Sequence, residues 1–251
     1  MDGMTINVAV VGAAGRMGST VCTAVTAAPD MNLTARITKD DPINAQTLAG
    51  ATVGVDFTVP DATEDTVRAL LTHGCHAVVG ATGWTPEKIA RIEAVAKETG
   101  RHVLIAPNFG LSAVLTMMFA EMAAPYFESV EVVEMHHPDK VDAPSGTARA
   151  TAEKIAAARA AAGCAPAPDA TCGPAPARGE KIAGIPVHAV RLRGLNAHET
   201  VLLGNPGEQL TLRQDSFTRE SFMPGVLLAI RGIDQHPGVQ VGLEQYMSWG
   251  R

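Results

Sequence analysis

Aromatic side chains make up only 4% of this 251-residue chain, too few to build the stacking platforms with which proteins grip single-stranded nucleic acid. Basic residues are also in deficit. Twenty Lys and Arg face 26 Asp and Glu, a formal net charge of −6, so general attraction to DNA or to an acidic membrane is excluded and an anionic ligand needs a local cluster of cations. No apolar run approaches the roughly 20 residues of a membrane-spanning helix, and no basic segment precedes the first apolar run, Ile6–Val11. The four cysteines, Cys22, Cys75, Cys164 and Cys172, contain no Cys-x-x-Cys and no paired metal spacing. They fit free thiols in a cytoplasmic protein without a metal. No internal repeat is present.

What the chain does have is alternation. Apolar strand-like runs at Ile6–Val11, Leu33–Ile37, Val53–Phe57, Ala77–Gly80 and Val103–Ile105 are interleaved with helical stretches, among them Thr63–Thr72 and Pro86–Thr99. Thr85-Pro86-Glu87 reads as cap, first-turn proline and first-turn acid, and Gly100 as the stop. Such a pattern predicts a parallel sheet covered by helices on both faces. Beyond about Phe109 the order changes to a Met-rich helix (Leu111–Ala123), a strand near Val130–Met135, an alanine-rich helix (Thr147–Ala162) and three strands in succession, Val187–Arg193, Thr200–Leu203 and Gln209–Arg213. Gly204-Asn205-Pro206-Gly207 predicts a hairpin turn between the last two, and the Ala/Pro-rich segment 164–178 an exposed loop. A final helix is expected over Arg219–Ile233. The expected fold class is therefore α/β, with a second, α+β domain.

The first strand runs straight into Gly12-Ala13-Ala14-Gly15-Arg16-Met17-Gly18 and then a helix. Strand, glycine loop and helix in that order make a phosphate cradle. Gly12 permits the tight turn, Gly15 lets backbone approach a pyrophosphate, Gly18 allows close helix–sheet packing, and the helix N-terminus attracts anions. A nicotinamide dinucleotide, NADPH or NADH, is the expected cofactor. Where an acid commonly receives the ribose hydroxyls, the second strand ends Thr38-Lys39. A hydroxyl and a cation there favour a 2′-phosphate, although Asp40 and Asp41 follow at once.

Residues 134–147, Glu-Met-His-His-Pro-Asp-Lys-Val-Asp-Ala-Pro-Ser-Gly-Thr, concentrate the remaining chemistry between a strand and a helix. Imidazole can give or take a proton near neutral pH, Lys140 is a compact cation, and the N–H groups of Gly146 and Thr147 open a helix. Singly, each has a plainer reading: His136 closes a strand, His137 faces solvent, Ser145 or Thr147 caps a helix. Together they suit a small acid that must be protonated.

These motifs resemble those of the bacterial 4-hydroxy-tetrahydrodipicolinate reductases, also called dihydrodipicolinate reductases, over almost the whole chain. The matching segments are Val10–Gly18, Asp56-Phe57-Thr58, Gly80–Gly83, Ala106–Phe109, Glu134–Thr147 and Gly184–Arg191, the His-His-x-x-Lys-x-Asp-Ala-Pro-Ser-Gly-Thr stretch being the most diagnostic. The resemblance implies a Rossmann-like dinucleotide-binding domain of residues 1–108 with 216–251, and a substrate-binding and tetramerisation domain of residues 109–215. It implies a hydride transfer from NAD(P)H to a cyclic imine dicarboxylate in lysine and diaminopimelate biosynthesis, by a homotetramer. His136 and Lys140 would be catalytic, and His137, Lys140, Ser145, Gly146 and Thr147 would bind substrate. The cofactor would meet Gly12, Ala13, Ala14, Gly15, Arg16, Met17, Thr38 and Lys39, and at its nicotinamide end Gly80, Ala81, Thr82, Ala106, Pro107, Asn108 and Phe109. A non-catalytic dinucleotide sensor on the same fold is the rival from another class, and a reductase of another imino or amino acid a second. An intact proton donor beside a carboxylate site disfavours the sensor.

Overall fold

A computed structural model describes residues 5–173 and 175–247. The outermost residues of the expected dinucleotide domain, 1–4 and 248–251, and Pro174 in the Ala/Pro-rich loop lie outside the described residues. The chain divides into two compact units, one running to Gly110 and resuming at Phe222, the other Leu111–Ser221.

In the first unit β1 (Ile6–Val11), β2 (Met31–Ile37), β3 (Val53–Asp56), β4 (His76–Val79) and β5 (Val103–Ile105) alternate with α1 (Arg16–Ala27), α2 (Ala45–Leu48), α3 (Thr63–Thr72) and α4 (Pro86–Thr99). The strands β1, β3, β4 and β5 are nearly continuous apolar runs because helices cover both faces, and Val8, Val10, Val55, Val78 and Leu104 are fully buried. With β11 (Val239–Val241) at one edge, the sheet order is β11-β5-β4-β3-β1-β2, all parallel. The chain steps from β1 to β2 on one side and returns to β3 on the other, so the carboxyl ends of β1 and β3 form the switch point where such sheets bind ligands. Thr85 caps α4 by accepting from the Lys88 N–H, and Gly100 ends it at φ +64°.

The sixth strand comes from the far end of the chain. After α7 (Met223–Gly232), which packs on α1, β11 (Val239–Val241) pairs with β5. The helix starts later than the apolar pattern suggested, since Arg219–Phe222 forms a separate 3₁₀ turn. β11 escaped the sequence reading because three residues, Val-Gln-Val, carry no periodicity.

The second unit holds α5 (Leu111–Ala123), β6 (Ser129–His136), α6 (Gly146–Ala161), β7 (Glu180–Ile182), β8 (Ile185–Arg191), β9 (Ala197–Asn205) and β10 (Glu208–Ser216). Its sheet runs β10-β9-β6-β8-β7 and is mixed, β6 and β8 being parallel and the other pairs antiparallel. The expected hairpin forms between β9 and β10. However, β6 lies between β8 and β9, so the three strands that succeed one another in sequence are not three neighbours in space. Alternate residues of β6, Val130, Val132 and Glu134, are buried. The two valines join Ala120 of α5 and Ala124 of the 3₁₀ turn after it with Ala148, Ala152 and Ile155 of α6 in one core. Among the described residues no helix is long and apolar enough to cross a membrane, and all four cysteines are free thiols.

Candidate active site

The expected dinucleotide residues gather along one edge of the parallel sheet. Gly12–Met17 follow β1, Thr38 and Lys39 follow β2, Gly80–Thr82 follow β4, and Ala106–Phe109 follow β5. Gly12 sits at φ +79°, and a Cβ on it would lie 2.7 Å from the Phe57 carbonyl oxygen. On Gly18 a Cβ would lie 2.1 Å from the Gly12 oxygen, so two of the three glycines are demanded by backbone contact. Gly15 differs: its Cβ would meet only Gly12 O, at 3.1 Å, and Ala14, Gly15 and Arg16 are exposed ahead of the 12-residue helix α1. That opening at a helix N-terminus is what a pyrophosphate requires. Gly80 is held against the Phe57 ring, where a Cβ would approach to 2.2 Å, and Phe57 in turn packs on Phe109 with ring centroids 5.8 Å apart. Asp56, fully buried at the end of β3, has its carboxyl raised by burial and eased by hydrogen bonds from the Thr63 hydroxyl (2.5 Å) and the Thr58 N–H (2.8 Å).

A cavity of about 690 Å³ opens beside the loop, lined by Gly12, Ala14 and Gly15, by Thr38–Asp41 and by Phe57–Val59. Its β2 end carries more than a hydroxyl and a cation. The Asp41 carboxylate turns back and accepts from both the Thr38 N–H (2.9 Å) and the Thr38 hydroxyl (2.7 Å), which hold it below the usual carboxylate range. An acid therefore stands at the strand end, three residues further on than a strand-end acid would, with Lys39 exposed beside it. The cradle and the cavity fit a dinucleotide.

The second cluster lies at the end of β6. His136 is the last residue of that strand, one position beyond the expected Val130–Met135, and shares a face with Glu134, two residues earlier. His136 Nδ1 lies 2.6 Å from Glu134 Oε2. Glu134 is completely buried, yet Arg191 of β8 grips both its oxygens at 2.8 Å and the Ser145 N–H donates to Oε1 at 3.1 Å. Burial acts to raise the Glu134 carboxyl, but the hydrogen bonds and charges of His136 and Arg191 outweigh it and hold the group down to about 2. An ionised carboxylate only accepts, so Nδ1 carries the hydrogen and Nε2 is the ring nitrogen left for chemistry.

Lys140, in the turn that follows, donates from Nζ to Asp142 Oδ1 at 2.6 Å, and the Gly146 N–H also reaches the Asp142 carboxylate. Ser145 is buried and its hydroxyl is spent on capping α6, accepting from the Ala148 N–H at 3.2 Å. Gly146 opens that helix with nothing within 4 Å of where a Cβ would be. Thr147 follows it in the helix, and His137, half-buried, follows His136 directly. Glu134, Arg191 and Asp142 were given no role from the sequence. Period-two spacing from His136 was a signal for Glu134, while Arg191, 57 residues away, had none.

One more acid faces the same side of the sheet. Glu199 of β9 is the register partner of Glu134 and accepts from the Thr151 hydroxyl at 2.8 Å, its second oxygen being buried without a partner. Burial, reinforced by the Glu134 charge, pushes its carboxyl up to about 7.

Residues 6–109 match the family described as dihydrodipicolinate reductase, N-terminus, and residues 112–247 match its C-terminus. The chain belongs to that family. A 4-hydroxy-tetrahydrodipicolinate reductase of Beutenbergia cavernae is 59% identical over 97% of this chain and 99% of its own, and one of Streptomyces coelicolor is 56% identical over 96% and 98%. A solved dipicolinate-bound dihydrodipicolinate reductase from Paenisporosarcina sp. TG-14 superposes with a TM-score of 0.88 at 35% identity, over 97% of this chain and all of that one. An amine dehydrogenase from Mycobacterium smegmatis, 15% identical with a TM-score of 0.64, shares the fold alone. The chain is thus a member of a family of NAD(P)H-dependent oxidoreductases, with a Rossmann-like nucleotide unit and a second, mixed-sheet unit.

Proposed function

We propose that the chain reduces 4-hydroxy-tetrahydrodipicolinate, a cyclic imine dicarboxylate, to tetrahydrodipicolinate with NADPH or NADH, as a cytoplasmic step of lysine and diaminopimelate biosynthesis. The observation that carries this reading is the His136 imidazole, fixed through Nδ1 by a buried carboxylate, beside Lys140 and the open N-terminus of α6. Gly12–Met17 cradle the pyrophosphate, Thr38 and Lys39 meet the adenosine ribose, and Gly80–Thr82 with Ala106–Phe109 line the nicotinamide end. Loss of the 4-hydroxyl with a proton of the neighbouring ring carbon, as water, leaves a conjugated cyclic imine, and the nicotinamide, when bound, would supply a hydride to it. Lys140 exchanges its Asp142 partner for a substrate carboxylate, His137 and the N–H groups of Gly146 and Thr147 hold the carboxylates, and Ser145 sets the helix that presents them. His136 gives a proton to the enamine-like carbon left by reduction, and Lys140 offsets the charge that accumulates there. A sensor of dinucleotide state has no use for such a proton donor. Oxidation of NADPH and NADH by purified protein, with and without freshly generated hydroxy-tetrahydrodipicolinate, tests the reading; dinucleotide binding without turnover would overturn it.

Coenzyme choice follows from Thr38, Lys39 and Asp41. Lys39 favours a 2′-phosphate by a charge-assisted contact, screened by salt because the site is exposed, and Asp41 opposes it. NADPH is expected to serve at least as well as NADH, with a preference that shrinks at higher ionic strength. Asp41→Asn should lower the ratio of the NADPH to the NADH dissociation constant by roughly three- to tenfold. A wild-type preference for NADH of about tenfold or more, 1.4 kcal/mol, would remove the phosphate role of Lys39.

The same reading includes a homotetramer. Among the described residues the mixed sheet ends at β10 and β7 with unpaired edges, and its face away from the helices carries the half-buried Val133, Met135 and Leu202 and the exposed Val190. Edges and apolar faces of this kind are covered in stable proteins. Light scattering at micromolar concentration should give the mass of four chains; a monomer would overturn the assignment.

A further inference from the structure

We propose that Glu134 is the positioning residue of the proton donor: its carboxylate keeps His136 in the Nδ1–H form, so that Nε2 carries the transferred proton, and stabilises the imidazolium before transfer. The inference rests on His136 being the acid, and it adds the group that makes the imidazole competent. Four donor contacts saturate the carboxylate. Oε2 takes His136 Nδ1 at 2.6 Å and Arg191 Nη1 at 2.8 Å, while Oε1 takes Arg191 Nη2 at 2.8 Å and the Ser145 N–H at 3.1 Å. A carboxylate has about four lone-pair sites, so none remains and the group has no freedom to turn away from the ring.

Stability does not account for the arrangement. A buried ion pair between β6 and β8 would join the strands no better than a well-packed apolar pair, because desolvating two charges offsets their attraction. It would also not require an imidazole at 2.6 Å. What the pair achieves is an ionised carboxylate in a water-free position, with the cation of Arg191 keeping it ionised and the strand's two-residue repeat aiming it at His136. A histidine whose far nitrogen donates to a fixed carboxylate has a defined tautomer and ring orientation.

The other groups facing this pair are few. From β9 comes Glu199, from β8 Arg191, and from the loop Lys140 and Asp142, whereas α6 presents the uncharged Ser145, Ala148 and Thr151. Since Glu199 can itself titrate near neutrality, the pH comparison is made in Glu199→Gln protein, where one carboxyl remains on that face.

In that background Glu134→Gln keeps an acceptor at Nδ1 and removes the charge. Turnover should fall at least roughly tenfold, with KM for the dicarboxylate and the dinucleotide dissociation constant within about twofold, and the alkaline limb of the kcat–pH profile should move down by about one pH unit or more. An unmoved limb, whether or not turnover falls, would reduce Glu134 to a structural residue and overturn the inference. On the unaltered protein, imidazole ¹⁵N resonances assigned by their loss in His136→Gln should show neutral His136 protonated at Nδ1. The Nε2–H tautomer would overturn the inference even if the Glu134 variant failed to fold. Wild-type turnover in His136→Gln would remove the reading of the reaction itself, whereas wild-type turnover and pH profile in Glu134→Gln alone would remove only the role of Glu134.

Discussion

His136→Gln is expected to lower kcat by roughly 100- to 10,000-fold, the usual worth of a positioned general acid. The amide matches imidazole in polarity and approximate size but has no proton to give near neutral pH. Its dinucleotide dissociation constant should stay at the wild-type value, because the residues assigned to the cofactor, Gly12 to Lys39 and Gly80 to Phe109, belong to the other compact unit. Steady-state turnover and dinucleotide binding followed by fluorescence measure the two quantities independently. Wild-type turnover in the variant would take His136 out of the mechanism.

The second large effect is expected at Gly18. Alanine there places a Cβ 2.1 Å from the Gly12 carbonyl oxygen, 2.7 Å from its carbonyl carbon and 3.0 Å from the Ala13 Cα, all backbone atoms. No flexible side chain can yield, so the loop or the first turn of α1 must move. In an ordinary helix interior the same substitution would help by up to about 1 kcal/mol, since glycine is a poor helix former. Here overpacking should outweigh that gain and cost about 1–3 kcal/mol. Because the displaced atoms are those that shape the phosphate cradle, dinucleotide affinity should fall roughly tenfold or more, alongside a lowered thermal midpoint. Calorimetric titration with NADPH checks the first and thermal unfolding the second; unchanged affinity would mean that the cradle tolerates the shift and that Gly18 serves only packing.

Strand β1 was plain in the sequence because INVAVV is buried on both sides and needs no alternation, and α4 because its cap, first-turn proline and terminal glycine each act within a single turn. β7 and β11 were not, being three residues each, with Glu180 and Lys181 exposed and Gln240 in the middle of the other. The glycine loop showed in the sequence as three glycines at three-residue spacing, but only the packed backbone distinguishes Gly12 and Gly18, which contact requires, from Gly15, whose side is open. At the end of β2 Thr38-Lys39 suggested an absent acid, and folding returned one when the turn brought Asp41 onto Thr38.

By itself the sequence determined the kinds of group present and their local order: a glycine loop ahead of a helix, an imidazole, a cation and a second helix start, each written in residues close enough to read together. Only the tertiary structure decided what holds them. Arg191 reaches Glu134 because parallel pairing sets β8 beside β6, Glu199 faces the same carboxylate because antiparallel pairing sets β9 on the other side, and β11 closes a sheet begun more than 200 residues earlier. Helix caps and turns are satisfied within a few residues and so leave a local signature. Strand pairing is satisfied across the sheet, by backbone groups that every residue carries, and the partner a buried charge finds there is fixed by register rather than by its neighbours in the chain.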